Sequence, residues 1–397
     1  MSKKRRSSLT ITPENAMMWL SKINEHLSEI HIGITMSLLQ QLKTGKLDIV
    51  GDIHGEYEAL CNLIIALGYD LDGNHPQGRT LVFVGDLCDR GPDSPNVIKL
   101  VKKLVENGKA QCVLGNHEIN LLQLKAKDGA GWYFDEREKK DKNYEPFERV
   151  NPEDKEMIYQ FLVNLPLALE NEELRIVHAT WDNEKIAQIQ HIKLGEVANY
   201  YWQLEREIDE SITSSGLLDA YNAEQQQWGE EQANPDGKLP FLYATAKYNI
   251  AHQMNNPLRV LTSGIEQQCE VPFYASGKWR FVERYTWWNN YQDDKPVIVG
   301  HFWRRFMQEE NDSSVETNVF ENIEPVSWHG IKNNVFCVDY SVGGRFKERN
   351  AGIEPGENTK LVAMRWPERE LVLETGEVFK TENYLAENLV QNKKHHP

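Results

Sequence analysis

The stretch Val50-Gly51-Asp52-Ile53-His54-Gly55 constrains the fold of this chain more than any other feature. An apolar run, Leu47 to Val50, stops at a glycine, and an aspartate and a histidine then stand two residues apart. Glycine permits the tight exit that turns the following side chains away from the end of a strand. Two similar clusters follow, Gly85-Asp86-Leu87-Cys88-Asp89-Arg90-Gly91 and Gly115-Asn116-His117-Glu118. The recurrence predicts polar ligands at the ends of successive strands.

The intervals between these clusters predict repeated strand–helix–strand units. Asp86 follows Asp52 by 34 residues and Asn116 follows Asp86 by 30, and each interval is about one βαβ unit. Apolar residues recur at helical spacing within each interval, namely Leu60, Leu63, Ile64 and Leu67, then Val97, Ile98, Val101 and Leu104. Right-handed crossovers make neighbouring strands parallel, so the following loops open at one edge of the sheet.

The rest of the chain divides into an extension, a core with an insertion, and a tail. We predict a mostly helical N-terminal extension over residues 1–45, a catalytic domain over 46–380 and a polar tail over 381–397. Within the core, residues 181–294 form a largely helical insertion or cap. Later strands are predicted at Leu174–Val177, Val297–Val299, Val335–Val338, Leu361–Met364 and Glu370–Leu373.

Six polar residues at or just past the ends of apolar runs form a candidate metal site. They are Asp52, His54, Asp86, Asn116, His178 and His301. A single aspartate after glycine is usually a turn or a helix cap, but six such residues at successive strand ends point to joint binding of metal ions. Oxygen and imidazole ligands without thiolates suit Mn²⁺, Fe or Zn²⁺. Asp86, in the middle cluster, is the natural bridge between two ions.

The three clusters, followed in order by His178-Ala179 and Gly300-His301, resemble the calcineurin-like metallophosphoesterase superfamily. The resemblance extends from Asp52 to His301 and is closest to the serine/threonine phosphoprotein phosphatase branch. The segment from Cys337 to Gly344 is also similar to bacterial diadenosine-tetraphosphate hydrolases and RNA-repair phosphatases. The fold that the resemblance implies is a four-layer α/β/β/α arrangement, in which a β-sandwich is flanked by helices.

The resemblance also implies roles for the cluster residues. Asp52 and His54 would bind a first divalent ion, Asp86 would bridge, and the remaining three would complete a second site, with Mn²⁺ preferred and Fe or Zn²⁺ also fitting. His117 would be the general acid, oriented and kept protonated by Asp89. Arg90 and Asn116 would bind the substrate phosphate. Phe302-Trp303 follows Gly300-His301 at the place where wider superfamily members have another ligand histidine. Phosphoprotein phosphatases also lack that histidine.

Two questions about supporting residues stay open in the sequence. The family uses a second arginine on the phosphate, and Arg259, Arg280 and Arg284 are all candidates. Glu118 either supports the metal ligands or has a purely structural role.

Composition limits the possible partners and compartments. The net charge of −16 does not favour general nucleic-acid binding, which needs a basic surface. Five scattered cysteines without a CxxC pair indicate reduced thiols and a cytoplasmic location. Apolar runs are too short to span a membrane, and the N-terminus does not resemble a secretory signal.

The leading hypothesis is a hydrolase, a metal-dependent phosphatase that cleaves phosphomonoesters by metal-activated hydroxide. A phosphoprotein substrate is slightly preferred. The alternative is a nucleotide-directed phosphoesterase that acts on dinucleoside polyphosphates or RNA-end phosphates. A scaffold protein on an inactive phosphatase fold is disfavoured, because all of the proposed ligands and His117 are present.

Overall fold

Two β-sheets form the centre of the computed structural model, which describes residues 36–275, 277–306 and 319–384. Five strands in the order β1-β5-β6-β9-β10 form one sheet and six in the order β13-β12-β11-β2-β3-β4 form the other, while β7 and β8 form a separate hairpin. The strands are β1 Leu39–Gln41, β2 Leu47–Val50, β3 Thr80–Phe83, β4 Ala110–Cys112, β5 Ala168–Glu170, β6 Arg175–Val177, β7 Glu266–Ala275, β8 Lys278–Arg284, β9 Val297–Val299, β10 Val335–Cys337, β11 Val362–Trp366, β12 Glu370–Leu373 and β13 Val378–Lys380.

Helices connect and flank these strands. Those in the described residues are α1 Tyr57–Leu67, α2 Ser94–Glu106, α3 Asn116–Leu122, α4 Asp135–Glu138, α5 Asp154–Val163, α6 Asn183–Ile189, α7 Val197–Ser214, α8 Leu217–Trp228, α9 Tyr243–Asn255, α10 Pro257–Ser263 and α11 Arg345–Ala351. Helix α1 ends at Gly68, which has a φ of 94°, a left-handed conformation that glycine adopts readily. Asp93 caps α2 by accepting a hydrogen bond from the Asn96 amide.

The hydrophobic core lies between the two large sheets. Ile49 from β2 and Met364 from β11 belong to the same buried cluster as Ile176 from β6 and Phe336 from β10. These side chains are 0% exposed, so the sheets pack face to face as in a sandwich. The predicted β-sandwich flanked by helices is therefore confirmed, and so is the parallel pairing of β2, β3 and β4.

Two local predictions differ from the structure. Residues 39–41, predicted as part of a helical extension, form β1, which pairs in parallel with β5 at the edge of the five-stranded sheet. A backbone partner more than 120 residues away in sequence decides that conformation, and local periodicity does not reveal it. Residues 1–35 of the predicted helical extension lie outside the described residues.

The insertion contains a β-hairpin in addition to the predicted helices. Helices α6 to α10 are followed by β7 and β8, which pair antiparallel with an irregularity between Gln268 and Phe273. Leu242, Ala246 and Phe281 form a small buried cluster of their own. The insertion thus has a local core, which is consistent with the predicted boundaries of 181–294; the domain division itself remains a prediction.

Candidate active site

The predicted site residues lie at the ends of the central strands, on loops with unusual backbone conformations. His54, Asp86, Asp89, Arg90 and His301 have φ values of 48°, 49°, 73°, 70° and 69°. Positive φ is unfavourable for residues with a side chain and often occurs at functional sites, where surrounding packing maintains it. The loops are therefore held in one arrangement that turns these side chains toward a common region.

A first cluster consists of His54, Asp86 and His117, whose candidate ligand atoms all lie within 4.8 Å of one another. His54 Nε2 is 3.6 Å from Asp86 Oδ2 and 3.9 Å from Asp52 Oδ2. The Nδ1 atom of His54 donates a hydrogen bond to the Cys88 carbonyl at 3.1 Å, which directs Nε2 toward the carboxylates. All four side chains are buried.

A second cluster consists of Asp86, His178 and His301, again with candidate ligand atoms within 4.8 Å. His178 Nε2 lies 3.3 Å from Asp86 Oδ2, and His301 Nδ1 lies 2.9 Å from the side-chain oxygen of Asn116. The two clusters share Asp86. The structure therefore brings all six predicted metal ligands together, with the predicted bridging carboxylate between them.

Burial and charge shift the pKa values of these groups strongly. Burial and the nearby Asp339 raise the pKa of Asp52 well above its usual value. Burial disfavours a charged His178 ring, but the negative charges of Asp86 and Asp52 outweigh it and raise the pKa of His178 to about 10. The buried carboxylates thus attract positive charge strongly.

His117 is held by a chain of hydrogen bonds that ends in a tryptophan. Its Nδ1 atom lies 2.6 Å from Asp89 Oδ2, and the other oxygen of Asp89 accepts a hydrogen bond from the Trp132 indole at 2.6 Å. His117 Nε2 points toward the clusters, 4.0 Å from Asp86 Oδ2. This arrangement suits the predicted proton donor, although a ring oriented by a carboxylate is also a common form of metal ligand.

Arg90 lies beside the first cluster with its side chain braced by an aromatic ring. Its guanidinium carbon is 5.0 Å from the centre of the Trp303 ring, and its backbone amide donates to the Gly129 carbonyl at 3.0 Å. Nη1 of Arg90 is 3.3 Å from His54 Nε2. Trp303 thus orients the guanidinium group of Arg90 by a cation–π contact.

Glu118 has a well-defined supporting position. Its carboxylate accepts hydrogen bonds from the backbone amides of Asp86, Leu87 and Gly115 at 2.8, 2.8 and 2.9 Å. It therefore ties the second motif to the third and fixes the backbone of the bridging aspartate.

Sequence reasoning missed Asp339, Trp132 and the choice among the three arginines. Asp339 is buried beyond β10 and accepts from the backbone amides of Trp303 and Ser341, both at 2.8 Å. The signal for it was present, since an aspartate after an apolar strand is the pattern of Asp52 and Asp86.

The structure separates the three candidate arginines. Arg259 is paired with Glu205 inside the insertion at 2.5 Å, and Arg280 donates from Nε to the Ala275 carbonyl in the hairpin. Only Arg284, at the end of β8, contributes to the electrostatic environment of the site: after burial, its charge is the largest factor that lowers the pKa of His301.

Two further predictions concern thiols and membranes. All five cysteines are free thiols, as expected from their spacing. Within the described ranges, the helices are too short or too polar to cross a bilayer.

Comparison with known proteins finds similarity in the part of the chain that carries most of the candidate ligands. A family model described as calcineurin-like phosphoesterase matches residues 45–213, a range that includes five of the six candidate ligands but not His301. The chain is 52% identical over 73 residues to the asymmetrical bis(5'-nucleosyl)-tetraphosphatase PrpE of Halalkalibacterium halodurans, which is 18% of this chain and 30% of that protein. It is 48% identical over 73 residues to the Bacillus subtilis protein of the same name, with the same coverage.

These similarities are local in sequence. The chain spans 30% of the length of those two curated relatives. A solved structure, a cold-active protein-tyrosine phosphatase of a Shewanella species, aligns with a TM-score of 0.43 and 17% identity over 90% of this chain and 88% of that one. The motifs from Asp52 to His178 all fall inside the matched range, so residues 45–213 are similar to the calcineurin-like phosphoesterase family.

Proposed function

We propose that this protein is a binuclear-metal phosphatase that hydrolyses phosphomonoesters. The observation that carries the proposal is the pair of buried clusters that share Asp86, each with ligand atoms within 4.8 Å. Buried carboxylates and imidazoles in this number are stable only with compensating positive charge. The buried Nε2 atom of His178 makes no hydrogen bond of normal geometry within the described residues and faces Asp86 Oδ2 at 3.3 Å, as expected of two groups that share an ion.

In this proposal Asp52 and His54 would hold the first ion, Asn116, His178 and His301 would hold the second, and Asp86 would contact both. Two divalent ions bound there supply Lewis acidity for water activation and phosphoryl binding, and Mn²⁺, Fe and Zn²⁺ all suit oxygen and imidazole ligands.

The remaining residues bind the phosphate and move a proton. Arg90 is half-buried beside His54 and can donate two parallel hydrogen bonds to phosphoryl oxygens. Arg284 is a second cation on the side of His301. His117 donates a proton from Nε2 to the leaving oxygen, while Asp89 holds its Nδ1 atom and stabilises the charged ring.

A direct experiment is replacement of His117 by Asn with metal analysis of the purified protein. If His117 is the acid, the variant retains two metal equivalents, loses about 10²–10⁴-fold in kcat on an alkyl phosphate, and loses much less on an aryl phosphate with a good leaving group. Loss of one metal equivalent would instead assign His117 to the first ion.

Within this class, a phosphoprotein is the preferred substrate, and a dinucleoside polyphosphate is the second candidate. The second is favoured by the 73-residue similarity to proteins named bis(5'-nucleosyl)-tetraphosphatases. Comparison of kcat/KM on a phosphopeptide, diadenosine tetraphosphate and a 2′,3′-cyclic nucleotide separates them. Equal slow turnover of all three would remove the preference.

A further inference from the structure

The insertion contains a concave site of its own, and no residue of the two metal clusters lines it. A cleft of about 370 Å³ opens between α8, α9 and β8, and we call it the insertion cleft; residues that line it include Tyr221, Gln225, Gln232, Asn249, Trp279 and Arg280. Small-molecule sites occupy volumes of about 300–1,000 Å³. The cleft is therefore large enough for a small ligand, and none of its residues belongs to the six metal ligands.

The cleft is positively charged although the chain is acidic overall. Lys278 and Arg280 both line it, and Arg280 also donates from Nε to the Ala275 carbonyl. Burial, Arg280 and Lys127 together lower the pKa of Lys278, because each positive charge disfavours the next. The negative charge of Glu266 acts on Lys278 in the opposite direction but does not reverse the shift. In a protein with a net charge of −16, two neighbouring cations in a concave site favour an anionic ligand.

Aromatic and amide side chains complete the lining. The indole nitrogen of Trp279 donates to the Asn234 carbonyl at 2.9 Å, which fixes the ring plane. Tyr221 is stacked on Tyr248, with ring centres 4.0 Å apart, and is equally fixed. Preorganised aromatic rings bind a flat ligand with little loss of side-chain freedom.

The amides are also oriented. Gln225 donates to the Thr245 hydroxyl at 3.0 Å and accepts from Gln232 at 3.0 Å. The Gln232 amide is thereby turned so that its oxygen remains an acceptor, and Asn249 supplies a second amide nearby. Amides that offer both donors and acceptors match the edge of a nucleobase.

We propose that the insertion cleft binds a nucleoside phosphate, with the base against the aromatic rings and amides and the phosphate on Lys278 and Arg280. An acidic peptide would use the two cations but not the enclosed aromatic lining. The ligand is either a free nucleotide that acts as an effector or the distal nucleotide of an extended substrate. Only the second possibility rests on the proposed function.

The loop after α3 offers a route between this cleft and the catalytic residues. Lys127, whose charge acts on Lys278, lies in that loop, and Gly129 two residues later accepts the backbone hydrogen bond of Arg90. Residues 127–129 therefore connect, along the chain, a charge that acts on the cleft with the backbone that holds the predicted phosphate-binding arginine.

The test measures binding of the phosphonate analogue of adenosine monophosphate, which a phosphatase cannot hydrolyse, to the metal-loaded full chain by calorimetry. The variants are Lys278→Ala, the double variant Lys278→Ala/Arg280→Ala, and Lys247→Ala as a control that removes an exposed lysine of α9 outside the cleft. We expect wild type and control to bind equally, and the double variant to bind at least about tenfold more weakly, as loss of charge-assisted hydrogen bonds predicts.

The same variants distinguish the two sources of ligand. A matching rise in KM for diadenosine tetraphosphate, with aryl phosphate kinetics unchanged, assigns the cleft to the substrate; an unchanged KM assigns it to a separate nucleotide. Binding that the double variant leaves intact would overturn the proposal. Since aryl phosphate hydrolysis is measured in parallel, that failure is distinct from failure of the proposed phosphatase activity.

Discussion

Replacement of Asp89 by Asn tests the proton-donor assignment most sharply. The two carboxylate oxygens of Asp89 accept from His117 Nδ1 and from the Trp132 indole, each at 2.6 Å. An amide of the same shape has only one acceptor oxygen, so one of the two buried donors must face an NH₂ group. His117 consequently loses either its orientation or the negative charge that stabilises its protonated form.

The size of the effect follows from that geometry. A hydrogen bond to a charged group contributes about 1.5–3 kcal/mol, which corresponds to about 10- to 150-fold in rate. We expect this loss in kcat on an alkyl phosphate, whose leaving group needs a proton. On an aryl phosphate with a good leaving group the loss should be several-fold at most, because little protonation is required.

The assay is steady-state hydrolysis of both substrates by metal-loaded protein, with metal content measured on the same samples. Asp128→Asn is the matched control, since Asp128 is an exposed aspartate in the loop after α3 whose recorded ion pair is to Arg137. Equal losses of kcat on the two substrates, or loss of metal from Asp89→Asn, would refute the reasoning and would identify His117 as a metal ligand.

Three other outcomes follow from the structure. Gly343→Ala would place a Cβ atom 2.4 Å from His54 Cδ2, so it should reduce metal content in the purified protein while circular dichroism remains native. Arg284→Met should raise KM for phosphate esters, whereas Arg259→Met should lower Tm and leave KM unchanged; a raised KM for Arg259→Met with an unchanged KM for Arg284→Met would exchange their roles. Although burial opposes it, the nearby His252, the charge of Arg259 and the hydrogen bond from Asn256 lower the pKa of Glu205 to about 2. Ionised Glu205 therefore stabilises the folded state at pH values above the unfolded pKa of about 4.3, and this stabilisation is lost as the pH falls toward 2. The amount by which Glu205→Gln lowers Tm at pH 7 should therefore become smaller as the pH falls through that range.

The sequence predicted the site better than it predicted the surroundings, for physical reasons. Glycine at the end of an apolar strand is a local signal, and it located Asp52, Asp86 and Asn116 correctly at three neighbouring strand ends. Trp132 could not be found in this way, because a buried tryptophan has no local mark that distinguishes a hydrogen-bond donor from core packing. Likewise, the position of Arg284 at the end of β8, from which its charge acts on His301, depends on the register of the hairpin.

The hairpin itself was missed because its strands are partly exposed and lie in a region dominated by helical periodicity. Burial does not alternate along strand β8, in which Phe281 is buried and its neighbours are half-buried. Strand β1 was missed for a different reason, since it forms by pairing with β5 and not through a pattern of its own. Such edge strands depend on tertiary partners more than on propensity.

The position of the metal clusters relative to the two sheets has a consequence for stability. Asp52, Asp86 and Asn116 follow strands of the six-stranded sheet, whereas His178 and His301 follow strands of the five-stranded sheet. The His178 ring already joins the sheets, because Nδ1 donates to the Val84 carbonyl at 2.8 Å. An ion shared by Asp86 and His178 adds a second link across the same boundary. Ligands that bind only the folded state stabilise it by about 2.7 kcal/mol at 100 times Kd, so ions bound as proposed would join the two sheets of the sandwich as well as take part in catalysis.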